Sequence, residues 1–206
     1  MSNNLSSINI SELVCTRISH DLIGNIGAVS NAVELLEEDG PESLGDVMPI
    51  LELSSKVLSA RLQFFRMAFG LNNTLIKDVD KIKDIASNYI QTIGNSNYPI
   101  NLSLNIKTPE FYKIILLGVM SFSTAFIKGG NIEVTETTQG LSFVAKTDNK
   151  LSVSNLNAIQ IVLNGNIYEE NPSQTAPIAY LKSLLEKTGV NISLEFSEQT
   201  AVLKIG

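Results

Sequence analysis

Residues 11–38 contain no proline, and across them apolar side chains recur every three or four positions: Cys15, Ile18, Leu22, Ile26, Val29, Val33 and Leu36. That spacing draws one stripe along an α-helix, so it predicts a single long helix over 11–38 with Ser11 as its N-cap. Asp39-Gly40-Pro41 is a stop signal. A second helix is expected over 42–69, with Leu44, Met48, Leu51, Leu58, Leu62, Phe65 and Phe69 as its stripe. Pro49 is expected to kink it, and Gly70 with Asn72-Asn73 to end it. Two long helices joined by a short turn form an antiparallel hairpin, which has more apolar surface than it can bury alone. Either both helices pack on the rest of the chain, or two hairpins pair as a four-helix bundle. The length of the stripe suits a bundle seam, so a homodimer is the expectation.

Beyond residue 74 the periodicity changes. A short strand is expected at 75–79, a helix at 80–93 carrying Ile82, Ile85, Ala86 and Tyr89, and a strand at 100–106. A buried helix follows over 109–128, opened by Pro109 and closed by Gly129-Gly130. A hairpin is expected over 132–138 and 141–147 with Gly140 at its turn. Helices at 156–163 and 179–188, the latter ended by Gly189, precede a last hairpin at 191–196 and 201–205. The fold class is therefore α+β: a helical hairpin over 1–72, then over 73–206 an α/β sandwich with helices on one face of a mixed sheet.

Composition narrows the function classes. A hydrophobic fraction of 44% and a charged fraction of 17% are globular values. A net charge of −6 with no Lys/Arg cluster argues against nucleic acid and against anionic lipid as partners. The most apolar stretch, 114–127, is too short to cross a bilayer, and residues 1–9 lack the features of a signal peptide. Cys15 is the single cysteine, which fits a reducing, cytoplasmic location. Without Cys/His clusters no zinc site is expected.

His20 is the only histidine. At about 100° per residue it points away from the stripe and shares its side with Thr16, Arg17, Gly24, Gly27 and Asn31. It should stand exposed at mid-helix. Each glycine costs a helix about 1 kcal/mol relative to alanine. Gly24 and Gly27 therefore either clear the way for another macromolecule, or loosen the helix, or let the second helix approach. Asp21 can take the imidazole proton and orient the ring. A neutral imidazole is a competent nucleophile, and Arg17 has the fork geometry for phosphate oxygens. Ile23, one turn from His20 and off the seam, is a candidate apolar anchor for a docking partner.

The run Arg17-Ile18-Ser19-His20-Asp21-Leu22-Ile23-Gly24-Asn25 resembles the phosphoacceptor motif of two-component sensor kinases, with Asn25 where proline is usual. Together with Leu35-Leu36-Glu37-Glu38 and with Arg61, Phe64, Phe65, Arg66, Ala68, Phe69 and Gly70, residues 13–70 resemble the ChpT-type bacterial histidine phosphotransferases. The resemblance implies a dimerising phosphoacceptor hairpin followed by a domain shaped like the histidine-kinase ATP-binding module. It implies His20 as phosphoacceptor with Asp21 and Arg17 as its helpers; on helix geometry, Ile23, Gly24, Gly27 and Asn31 are the expected docking face. Phosphatase-competent relatives carry Thr, Asn or Gln at the position of Gly24 to orient a water, and Gly24 has no such group.

The parts that hold nucleotide in such a module are missing from the sequence. The 113–128 helix has no asparagine, Asp148-Asn149-Lys150 lacks the glycines of an adenine loop, and 171–177 has two prolines and no glycine for a phosphate lid. No Walker-type loop occurs. The expectation is a chain that binds no cofactor. It would accept its phosphoryl group from the receiver domain of a hybrid histidine kinase and pass it to response regulators, with Mg²⁺ supplied by the receiver. The competing expectations are a non-catalytic dimeric scaffold and an ATPase with a nonstandard pocket.

Overall fold

A computed structural model describes residues 7–71, 78–94 and 96–206, with side chains from residue 10 onward. Helix α1 runs Ser7–Asp39 and α2 runs Leu44–Phe69, joined by a 3-10 turn over Gly40–Ser43. Gly40 has φ +68°, a conformation that suits glycine and ends α1. Helix α1 starts before Ser11, which lies inside it rather than at its cap, and α2 runs unbroken through Pro49.

Several small residues are buried along the hairpin. Ala32 of α1 and Val47, Ser54 and Ala68 of α2 are buried, as is Ser43 in the turn, where its hydroxyl donates to the carbonyl of Gly40 at 2.9 Å. Small side chains let the helices approach and push larger apolar residues to the flanks. Hence Ile26, Val33, Leu44, Met48 and Leu62, all on the stripes expected from the sequence, are exposed in the single chain.

Helix α3 (Val79–Gln91) is capped by Asp78, whose carboxylate accepts from the Asp80 N–H at 2.9 Å. The strand expected at 75–79 falls largely on 72–77, as do Asn72-Asn73 and the 72/73 boundary, all outside the described residues. Val79 itself opens α3. Strand β1 (Ile100–Asn105) precedes α4 (Tyr112–Ser123), and β2 (Gly130–Thr137) pairs with β3 (Gly140–Lys146). Helices α5 (Val153–Leu163) and α6 (Ala176–Glu186) lead to β4 (Ile192–Phe196) and β5 (Thr200–Ile205).

Helix α4 ends five residues earlier than the sequence suggests. Ser121 Oγ donates to the Leu117 carbonyl, Ser123 Oγ to Met120 and Thr124 Oγ1 to Ser121, each at 2.8 Å. Three hydroxyls folded back on their own helix compete for its last carbonyls. The chain then extends through a bridge between Phe126 and Leu151, and Gly129-Gly130, both at positive φ, open β2 rather than close the helix.

The five-stranded sheet has the order β1-β2-β3-β5-β4, with β1 and β2 parallel and the other pairs antiparallel. Its burial alternates: Ile132, Val134, Leu141, Phe143, Leu203 and Ile205 face the helices, while Asn131, Glu133 and Lys204 face solvent. This is an α+β sandwich with helices on one face, as the sequence predicts. Its core does not stop at the hairpin. Phe64, Phe65 and Ala68 belong to the same apolar cluster, and Ile18 and Leu22 of α1 pack against it. Helix α1 also touches α6 and the 3-10 turn Pro172–Thr175. Among the described residues no helix is long and apolar enough to cross a membrane.

Candidate functional site

His20 sits on α1 in the stretch braced by this core, and its side chain is 81% exposed. The stripe side of the helix holds Ile18 and Leu22 against the core, so the opposite side must face out, and the imidazole projects from it. Asp21 turns inward, 13% exposed. One oxygen, Oδ1, lies 3.5 Å from His20 Nδ1, and the other, Oδ2, accepts from Arg17 Nε at 2.9 Å one helical turn away. The carboxylate is thereby held between a guanidinium and an imidazole. If Nδ1–H faces Oδ1, the lone pair of Nε2 points to solvent, the arrangement a nucleophilic imidazole needs.

Arg17 is as sheltered as Asp21, at 13% exposure. It is committed to the carboxylate rather than standing open beside His20 for phosphate. Gly24 and Asn31 are exposed, Gly27 is half-buried and Ile23 is 64% exposed. A Cβ added at Gly24 or Gly27 would meet nothing within 4 Å. Close approach of the second helix therefore does not explain these glycines, and the space beside them is open.

Three residues that the sequence reading did not place at the site lie beneath it. Arg61 of α2 donates from Nη1 to the main-chain carbonyl of Asp21. Its Nε donates to Thr92 Oγ1 at 3.1 Å and its Nη2 to the Thr92 carbonyl at 3.0 Å. Thr92 is the C-cap of α3, and its hydroxyl donates to the Tyr89 carbonyl at 2.8 Å. Tyr89 is fully buried and stacked on Phe64 with ring centroids 3.8 Å apart. Its hydroxyl faces the Arg17 side chain without a hydrogen bond of standard geometry among the described residues. Burial pushes the phenol well above its ordinary pKa, against the opposing pull of the nearby Arg17 and Arg61 cations. The signal for Arg61 was present: it lies seven residues from Ser54 and from Ala68, on the inward line of α2, where a charge needs partners.

The loops at the positions of a nucleotide module's adenine loop and lid make intrachain hydrogen bonds. After β3, Thr147 Oγ1 donates to the Gly129 carbonyl at 2.9 Å and Asn149 Nδ2 to the Lys128 carbonyl at 3.4 Å. Before α6, Thr175 is buried and donates to the Pro172 carbonyl at 2.8 Å. Lys182 Nζ donates to the Val162 carbonyl at 3.2 Å, tying α6 to α5.

The fold that carries this exposed histidine is similar to that of a solved structure described as a bacterial phosphotransferase. The chain superposes on it with a TM-score of 0.77 at 25% identity, covering 100% of both chains. In sequence the chain is similar to the protein phosphotransferase ChpT of Brucella abortus (strain 2308), 38% identical over 89 residues, a match spanning 42% of this chain and 42% of that protein. The histidine kinase domain of the Erythrobacter litoralis EL346 blue-light activated histidine kinase aligns over 95% of this chain and 92% of that one, with 12% identity and a TM-score of 0.45. No known protein-family profile matches the chain.

Proposed function

We propose that this protein is a histidine phosphotransferase of a bacterial phosphorelay. His20 Nε2 attacks the phosphorus of an aspartyl phosphate on the receiver domain of a hybrid histidine kinase. The P–N bond forms as the acyl P–O bond breaks, and the receiver carboxylate leaves. The reverse exchange loads a response regulator. The observation that carries this reading is the exposed imidazole with its inner nitrogen turned to a carboxylate that Arg17 holds in place. Its likeness in sequence to a protein phosphotransferase, and in fold to another, supports it.

The receiver supplies Mg²⁺ and a cation for the transferring charge, while this chain supplies the nucleophile, its orientation and a docking face formed by Ile23, Gly24, Gly27 and Asn31. The open space at both glycines supports a partner's close approach on that face. The chain binds no ATP in this reading, which is supported by the structural use of Thr147, Asn149 and Thr175. It acts as a homodimer in the cytoplasm, with Ile26, Val33, Leu44, Met48 and Leu62 covered by a second copy. The test is incubation with phosphorylated receivers. The wild type should gain an acid-labile phosphoryl group and His20→Ala none. A wild type that stays unlabelled with every receiver tried, yet binds them, is a scaffold and not a phosphotransferase.

A further inference from the structure

The second domain needs a reason to be present if it binds no nucleotide. Arg61 connects it to the reactive helix in an unusual way. Among the described residues its guanidinium meets no carboxylate: its three hydrogen bonds there end on neutral oxygens, two on Thr92 of α3 and one on the main chain of Asp21. A guanidinium next to Asp21 would gain most, as an isolated pair, from that residue's carboxylate. Instead it takes the carbonyl, and the carboxylate stays with Arg17 and faces His20. The carbonyl has a lone pair to spare beyond its own helical bond.

The place of the tie matters as much as its chemistry. Gly24 and Gly27 lie one and two turns beyond His20, and nothing fills the space beside them. A helix with two glycines is soft there. The Arg61 bond grips the main chain at the residue next to His20, just ahead of the soft stretch. Rotation of this turn about the helix axis would carry the imidazole with it.

We propose that Arg61 is a positioning residue for His20: it ties the main chain of Asp21 to the C-terminal end of α3, so that the domain beyond residue 78 splints the histidine-bearing turn. The effect on transfer rests on the phosphotransferase reading above. The effect on the imidazole does not.

The experiment compares the wild type with Arg61→Gln, Arg61→Lys and Thr92→Val in the full chain. Because His20 is the only histidine, the ¹⁵N imidazole signals need no further assignment. The first readout is the tautomer balance of that ring. The second is single-turnover transfer as a function of receiver concentration. Arg61→Gln should lower the maximal rate about ten-fold, a size consistent with a sub-ångström misplacement, and leave the half-saturating receiver concentration unchanged. It should also displace the imidazole signals. Arg61→Lys keeps the charge but cannot span three acceptors, so it should remain close to Arg61→Gln. Thr92→Val removes one of the three Arg61 bonds, together with the hydroxyl's own bond to the Tyr89 carbonyl, and should cost about two- to three-fold.

A merely structural Arg61 would lower thermal stability while the surviving folded protein kept the wild-type rate and imidazole spectrum, and that result overturns the proposal. So does a loss confined to half-saturation, which would make Arg61 a docking residue. If the wild type takes no phosphoryl group at all, the phosphotransferase reading fails, and the imidazole spectra still decide the role of Arg61. If Arg61→Gln does not fold, Thr92→Val answers the same question.

Discussion

At the His20 end of the hairpin, Ile18 and Leu22 of α1 and Phe64, Phe65 and Ala68 of α2 merge into the core of the sheet domain. At the turn end, Ile26, Val33, Leu44 and Met48 stay open to water. Both halves are built from the same amphipathic helices, so propensity does not separate them. What separates them is whether the chain itself supplies the second wall. The His20 half is largely enclosed within one molecule, and in the proposed dimer a second copy covers the other half. The steepest test of this contrast is at the join. Phe64 is fully buried and stacked on Tyr89, and Phe64→Ala should destabilise the protein by about 3–5 kcal/mol, read as a loss of melting temperature. A change under 1 kcal/mol would mean that the hairpin and sheet domain are not one cooperative unit.

The turn end should respond the opposite way. Val33→Glu combined with Met48→Glu puts charges where the single chain already meets water, so its melting should change little. A twofold-related copy would have to desolvate four carboxylates, at several kcal/mol each if unpaired. Light scattering at micromolar concentration should therefore report a dimer for the wild type and a monomer for the double variant. An unchanged dimer would move the seam elsewhere.

The sequence showed this division only in part. Helical spacing revealed both long helices, alternation revealed β1, and hairpin patterns revealed β2 with β3 and β4 with β5, because those signals depend on one chain's own periodicity. The apolar stripes were legible too, but not their use. The buried line along the hairpin includes Ala32 and Ser54, which carry almost no hydropathy signal, so the bulky stripe beside them looked like the whole interface. The end of α4 was hidden for a related reason: Ser121, Ser123 and Thr124 read as tolerable helix residues until their hydroxyls are seen to take the carbonyls. At the site, His20, Asp21 and the open glycines were readable from one helix. The tie of Arg61 to Thr92 was not, because it joins residues 31 apart through a main-chain atom and a C-cap.

A smaller effect is expected on the outward face. Ile23 is well exposed and touches neither the join nor the seam, so Ile23→Asp should leave both melting and dimer mass unchanged. Desolvating a carboxylate in place of an apolar anchor should raise the half-saturating receiver concentration about ten-fold. Transfer at the wild-type rate with subsaturating receiver would put the docking face elsewhere.

The smallest effect concerns a buried phenol in the His20 half. Tyr89 Oη is buried facing Arg17 without a hydrogen bond of good geometry among the described residues, and a poorly satisfied buried hydroxyl costs stability. Removing it by Tyr89→Phe keeps the stack on Phe64 and should leave stability equal or raised by up to about 1 kcal/mol near neutral pH. The pH dependence gives a second, signed readout. Burial raises the folded phenol above its model value of 10.0, so above that pH the unfolded chain releases this proton while the folded one keeps it. The contribution is fully present below pH 10 and is lost as pH climbs toward the folded value. Wild type should therefore lose stability faster than Tyr89→Phe above pH 10, by up to about 1.4 kcal/mol per pH unit. If the two proteins melt in parallel from pH 9 to pH 11, the phenol is not sealed in the core. The reactive half would then admit water beneath His20, and the contrast with the open turn end would be one of degree.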